Sequence, residues 1–260
     1  MKIISRNVNG IRSILNKGFI DFVNQNNPDF LCLQEVKAFE KQFIDGLGGL
    51  KGYKYLWHAG TKPGYAGTVI FYKKEIDIKE EKNFFGKFEK FHIDGRVTQI
   101  ETDDFILLNA YFPNGGTRSD GKQMLDYKLD FFDDWIKYIK KLEKNKKHII
   151  LAGDFNVIHT ENDIKNPKGK KNSICFLPVE RDKFSHLLKH GYIDIFRHLN
   201  PDTNDIYSWW SYRIGYRERN IGWRVDYFLL NESIVENVLD IVYLKDVMGS
   251  DHCPVKLELK

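Results

Sequence analysis

Ile149-Ile150-Leu151-Ala152-Gly153-Asp154-Phe155-Asn156 is a run of apolar β-formers that closes on Gly-Asp-x-Asn. Such a run predicts a buried strand, and the alternation of side chains along it points Asp154 and Asn156 the same way from the strand's C-terminal mouth. On its own, this reads most simply as the start of a turn, since Asp and Asn commonly follow strands. The surrounding chain changes the balance, because other strands end in the same manner.

Working outward, residues 2–8 predict a strand stopping at Asn9-Gly10, and the spacing of Ile14, Leu15, Phe19, Phe22 and Val23 predicts a helix over 13–26. Pro28 ends that helix, and residues 30–33 predict a buried strand running into Gln34 and Glu35. Strands at 53–58 and 66–72 flank a glycine-rich turn that exposes Lys62 and Tyr65. Residues 97–101 and 105–111 predict a hairpin running out into Phe112-Pro113-Asn114-Gly115-Gly116. Helices are expected over 127–142, with Phe131, Trp135, Tyr138 and Leu142 on one face, and over 180–190. Residues 162–172 lack apolar periodicity and predict a long loop, and strands are expected at 207–212, 223–230 and 255–259. Strands and helices alternate in both halves, which indicates an α/β fold.

A chain of 260 residues with 42% apolar content buries a substantial core, and one compact domain over 1–260 is the expectation. Forty Lys and Arg against 36 Asp and Glu leave a net charge of +4, which permits a polyanionic partner without requiring one. The scattered Cys32, Cys175 and Cys253 argue against a disulfide framework or zinc knuckle and fit a reducing, cytoplasmic setting. Arg6, Asn7 and Asn9 interrupt any signal-peptide core, and no segment reaches the roughly 18 apolar residues of a membrane span. A soluble protein without membrane partners is expected.

The chemistry lies at the strand ends, which collect Asn7, Glu35, Tyr111, Asp154, Asn156, Asp226 and Asp251-His252. There is no serine-nucleophile motif, no glycine-rich phosphate loop and no Cys/His zinc cluster. What remains is a carboxylate-poor magnesium site, in which few protein oxygens and several waters hold a hard cation.

Ten blocks spread from end to end carry a closer resemblance. They include Ser5-Arg6-Asn7-Val8-Asn9-Gly10, Leu33-Gln34-Glu35-Val36-Lys37, Tyr111-Phe112-Pro113-Asn114-Gly115, Gly153-Asp154-Phe155-Asn156, Trp209-Trp210-Ser211-Tyr212-Arg213, Gly222-Trp223-Arg224-Val225-Asp226 and Gly249-Ser250-Asp251-His252. In order and spacing the chain resembles the exonuclease III family of apurinic/apyrimidinic (AP) endonucleases. The resemblance implies a four-layer α/β sandwich of the DNase I-like type: two mixed sheets face to face, helices outside, and the site in a cleft where strands of both sheets end.

The resemblance also assigns roles. Glu35, with Asn7 nearby and Asp251 as an outer or alternative ligand, would hold Mg²⁺, with Mn²⁺ as an alternative. Asp154 would orient and deprotonate the attacking water, and Asn156 would position it. Asp226 would hydrogen-bond His252 so that the other ring nitrogen faces the phosphate, and Tyr111 would donate to the phosphate or leaving group. Arg12, Lys62, Tyr65, Arg96, Asn114, Lys168 and Arg213 would meet duplex DNA carrying abasic or 3′-blocked lesions, and Trp209, Trp223 and Val225 would receive the extruded sugar. The implied activity of the monomer is hydrolysis 5′ to abasic sites, with 3′–5′ exonuclease and 3′-end trimming. Incision at damaged bases such as uracil, a Mg²⁺-dependent phosphoesterase acting on other substrates, and a non-catalytic DNA-binding module are the alternatives. Two positions depart from the family's pattern: Asn9, where some members carry Asp, and Arg6, where an aromatic is usual. Arg6 is expected on the strand face opposite Asn7, snorkelling to water or paired with an acid.

Overall fold

The structure, a computed structural model, describes residues 1–47, 50–83, 89–145 and 147–260. In chain order it runs β1 (Lys2–Asn7), α1 (Ile11–Leu15), α2 (Phe19–Asn26), β2 (Phe30–Gln34), α3 (Glu40–Leu47), β3 (Tyr53–His58), β4 (Thr68–Lys73) and β5 (Glu80–Lys82). Then come α4 (Glu89–His92), β6 (Val97–Glu101), β7 (Phe105–Tyr111), α5 (Leu125–Leu142), β8 (His148–Asp154), α6 (Pro178–Lys189), β9 (Tyr192–Asp194) and α7 (Ile195–Leu199). The last strands are β10 (Trp209–Trp210), β11 (Gly222–Trp223), β12 (Asp226–Asn231), β13 (Val238–Tyr243) and β14 (Val255–Leu259).

Among the described residues these strands form two six-stranded mixed sheets and a two-stranded ribbon, β10-β11. One sheet has the order β13-β14-β1-β2-β4-β3 and the other β5-β6-β7-β8-β12-β9. Each sheet holds one parallel pair, β1 with β2 and β7 with β8. A parallel pair needs a crossover, which α1 and α2 make in the first sheet and α5 makes in the second.

Period-two alternation sorts the apolar side chains into layers. Ile3, Phe30, Cys32, Ile150, Ala152 and Leu257 point between the sheets and form the central core. Their neighbours Ile4, Leu31 and Leu33 point outward and are covered by Ile14, Phe19, Phe22 and Phe43 of the first helical layer. Ile149 and Leu151 are covered in the same way by Phe131, Trp135, Ile139, Phe184 and Leu187 of α5 and α6. Each fully buried side chain of this size contributes about 1.5–3 kcal/mol, so these three apolar layers dominate the favourable side of folding. The four-layer α/β sandwich expected from the sequence is present.

Several elements differ from the expectation. The helix expected over 13–26 is two helices, because Gly18 takes a left-handed φ of 78° and caps the second. The strand expected over 223–230 is broken after Trp223: the Arg224 amide donates to Asp163 O at 2.8 Å, and Val225 O accepts from Phe155 N at 2.9 Å. The strand expected over 207–212 shrinks to the two residues of β10, because Trp210 N turns to Asp251 O. Within 162–172, Asp163 is fully buried and Ile164 bridges to Trp223, so this stretch is tied down at its start. No helix among the described residues is long and apolar enough to cross a membrane.

Candidate active site

The C-terminal ends of β1, β2, β7 and β8 and the start of β12 meet at one edge of the sandwich. Asp154 lies in register with Tyr111 on β7 and with Asp226 on β12, while Asn7 lies opposite Gln34 on β2. The glycine before Asp154 is required. Gly153 has φ 140°, and a Cβ there would overlap the Ala110 carbonyl oxygen, so any side chain would push β8 away from β7. Glu35 and Asn156 both sit at φ 50°, a region that Asn tolerates and Glu enters at a cost of about 1–3 kcal/mol. That strain aims the Glu35 carboxylate at the edge of the site.

The polar groups interlock. Asn7 Nδ2 donates at 2.9 Å both to Glu35 Oε1 and to Asp154 Oδ2, bridging two carboxylates that would otherwise repel. Asp154 Oδ1 accepts from Asn156 N at 2.8 Å, which fixes the carboxylate's plane. His252 Nδ1 lies 2.8 Å from Asp226 Oδ2, and its Nε2 faces Asp154 Oδ2 at 3.9 Å. Asp226 Oδ1 is buried without a hydrogen-bond partner, so His252 is the one side chain that hydrogen-bonds to this carboxylate among the described residues. Asn114 Nδ2 donates to Asn156 Oδ1 at 3.1 Å, which ties a loop amide to the strand mouth.

These contacts set the protonation states. Burial, with Asp226 next to it, raises the Asp154 carboxyl well above the ordinary carboxylate range. Burial opposes a charged His252, but the Asp226 carboxylate, followed by Asp154 and Asp251, outweighs it and raises the imidazole above its usual value. Burial likewise opposes ionised Glu35, yet the Lys37 ammonium and the Asn7 amide hold it below the ordinary range. Tyr111 is driven well above 10 by burial and by Glu35, so it remains a hydrogen-bond donor.

Two groupings could take a cation. Asp154, Asp226 and His252 present ligand atoms within 4.8 Å of one another. In that set His252 Nδ1 and Asp226 Oδ2 are already committed to each other. The second is an oxygen-rich corner, where Lys37 Nζ reaches Glu35 Oε2 at 2.7 Å and Asn9 Oδ1 at 2.5 Å, and Asp251 Oδ1 accepts from Asn9 Nδ2 at 3.0 Å. An ammonium held by converging oxygens marks a place suited to a hard cation, and the donor set fits the sparse-carboxylate expectation. The oxygen of Asn7 accepts from Asn9 N at 2.9 Å, so its observed part is to brace the corner.

A cavity of about 350 Å³ opens over this edge, lined by Glu35, Tyr111, Asn114, Asp154, Asn156, Trp209, Trp223, Val225, Asp251 and His252. Its far wall is apolar. Trp209 and Trp223 pair across the ribbon with centroids 4.6 Å apart, and Trp209 Nε1 donates to Asp251 Oδ2 at 3.0 Å. The sequence reading missed Ser173, Ile174 and Cys175, which complete that wall from the 162–175 stretch. It also missed Lys128, a fully buried lysine whose Nζ donates to Asn156 O at 2.6 Å and to Glu180 Oε1 at the start of α6. Lys128 sits among the apolar positions of α5, and a Lys at such a position is the sequence signal that could have found it.

Arg12, Lys62, Asn114, Lys168 and Arg213 are exposed, and Tyr65 is half-buried. Arg96 departs from the expectation of a DNA contact. It is 2% exposed, donates to Asp94, Tyr65 Oη and Tyr111 O, and lies under the rings of Tyr65, Tyr111 and Tyr127. It therefore positions Tyr111 and Tyr65 from beneath. Arg6 does occupy the face opposite Asn7, but it neither snorkels nor meets an acid. It is 1% exposed, donates to Met248 O at 2.9 Å and has no partner for Nε.

Comparison with known proteins agrees with this geometry. The chain is 41% identical to an exodeoxyribonuclease of Bacillus subtilis (strain 168), covering 99% of this chain and 98% of that one. It is 43% identical to a DNA-(apurinic or apyrimidinic site) endonuclease of Dictyostelium discoideum, covering 98% of this chain and 69% of the relative. The crystal structure of the AP endonuclease LMAP from Leishmania major matches with a TM-score of 0.89 at 30% identity, covering 100% of this chain and 87% of that one. With residues 7–252 also matching the endonuclease/exonuclease/phosphatase family model, the chain belongs to the endonuclease/exonuclease/phosphatase family and is an enzyme of its nuclease branch.

Proposed function

We propose that the protein is a Mg²⁺-dependent repair nuclease that hydrolyses the phosphodiester 5′ to abasic sites in duplex DNA and also trims 3′ ends. The 260 residues act as a single catalytic domain. The observation that carries this reading is the contact between a hydrolytic carboxylate set and an apolar cavity walled by Trp209, Trp223 and Val225. A bare deoxyribose fits against such a wall, and phosphate contacts alone do not discriminate it from an intact nucleotide.

In this reading ionised Asp154 takes a proton from the water that attacks phosphorus, and Asn156 and Asn7 hold that carboxylate in line. The bond to the upstream O3′ breaks as the new oxygen–phosphorus bond forms, and Tyr111 donates toward the departing oxygen. Protonated His252, fixed by Asp226, faces the equatorial oxygens where negative charge grows. Glu35, with Asp251 and the braced Asn7, would hold Mg²⁺, whose chemistry there is to neutralise phosphate charge. A phosphoesterase of this family acting on non-DNA substrates has no use for the tryptophan wall.

The test is single-turnover cleavage of matched duplexes bearing an abasic analogue, an intact nucleotide or a 3′-phosphate, with Mg²⁺ and with excess chelator. Fast metal-dependent cleavage of the abasic duplex supports the reading. Equal rates on abasic and intact duplexes, or full activity in chelator, would sink it.

A further inference from the structure

The end of α6 brings two histidines together, an exposed His186 in its last turn and a half-buried His190 at its C-cap. His186 and His190 are one turn apart, with Nε2 atoms separated by 3.1 Å, ring centroids by 4.4 Å and ring planes by 78°. A hydrogen bond between the rings accounts for this spacing in the free protein, with one ring supplying the N–H and the other the lone pair. The same spacing suits a shared metal: with imidazole–metal bonds of about 2.1 Å, two nitrogens 3.1 Å apart subtend roughly 95° at the ion. That angle is the one between adjacent ligands in square-planar or octahedral coordination, and it opens easily toward tetrahedral.

We propose that His186 and His190 form a two-point surface site for a late divalent transition metal ion such as Ni²⁺, Cu²⁺ or Zn²⁺, distinct from the oxygen-lined corner at Glu35. Imidazole favours these ions, whereas carboxylate, carbonyl and water favour Mg²⁺, so the two sites sort metals by donor type. The helix pre-orients both rings, and water completes the coordination from the open side. At the end of α5, the Glu143 carboxylate favours a cation near His190, and Lys140 opposes it. The ion spans one helical turn that exists only in the folded chain, so its binding adds to stability.

The experiment titrates Ni²⁺ alone into the full-length protein by calorimetry at pH 7.5, comparing wild type with His186→Ala, His190→Ala and, as an exposed control, His198→Ala. Wild type and His198→Ala should each bind one more equivalent, with micromolar affinity, than either helix variant. That equivalent should raise the Tm of wild type by about 2–4 °C and leave the two variants unmoved. Mg²⁺-supported nuclease activity should be the same in all four proteins. Identical stoichiometry and affinity in wild type and His186→Ala would overturn the proposal, as would survival of the extra equivalent in His190→Ala.

Discussion

Asp154 can accept a proton only after losing its own, and its surroundings delay that loss. Because burial and Asp226 raise its pKa, the acid limb of the kcat/KM profile should lie above the ordinary carboxylate range. His252 is raised too, so the protonated ring persists upward in pH and the alkaline limb should lie above the ordinary imidazole value. The two limbs belong to a coupled pair, and Asp226→Asn should draw the alkaline limb downward. A profile whose alkaline limb ignores that substitution would remove Asp226 from its role. Replacing the proposed base, Asp154→Asn, should slow single-turnover cleavage by about 10²–10⁴-fold while DNA binding survives. Arg6 should behave otherwise. Its charge is desolvated, with a carbonyl and the face of Phe22 but no acid beside it, so Arg6→Met should leave kcat unchanged and Tm equal or higher. A large fall in kcat with the fold intact would contradict this.

At the level of elements, the turn at Asn156 rests on α5 and α6 through one buried ion pair. Lys128→Met leaves the buried Glu180 carboxylate without its counter-charge, holding only the Leu177 amide, which should destabilise the fold by about 3–5 kcal/mol. The double variant Lys128→Met/Glu180→Leu should recover much of this in urea denaturation but not the cleavage rate, since Asn156 O still lacks its donor. The ribbon β10-β11 should control selectivity: Trp209→Ala should lower the ratio of abasic to intact cleavage, and Arg213→Ala should weaken binding and reduce the salt slope by about one unit. An unchanged ratio in Trp209→Ala would move discrimination elsewhere. Strong local signals made most of the core legible in sequence. The run from Ile149 to Asn156 made the strand and its polar mouth legible, because an apolar run of β-formers ends on a carboxylate, whereas a part for Asp154 and Asn156 in a site came only from the other strand ends and the resemblance. Residues 223–230 misled because their alternation continues while the backbone of Arg224 and Val225 is diverted to Asp163 and Phe155, partners about 60–70 positions away. Arg96 misled because a guanidinium in an aromatic cage and one on a phosphate look alike in sequence. The oxygen corner at Lys37 and Asn9 arises from tertiary approach alone.

At the scale of the whole molecule, a net charge of +4 is small, so affinity for a duplex depends on where the exposed cations lie. The two sheets are joined near the site by Asn109, which accepts from Gln34 at 2.7 Å and donates to Leu33 O and Val69 O across the interface. Topology adds something about time. The first sheet places β14 between β13 and β1, so one edge of β1 is paired only by residues synthesised about 250 positions later. Until Val255–Leu259 leaves the ribosome, one edge of β1 stays unpaired for the roughly tens of seconds that translation of the intervening chain takes. His252 lies a few residues before β14 and is synthesised about 100 residues after Asp154. A nascent chain thus carries the Asp154 carboxylate long before the His252 imidazole, so these two groups can face each other at 3.9 Å only after the segment leading into β14 has been made.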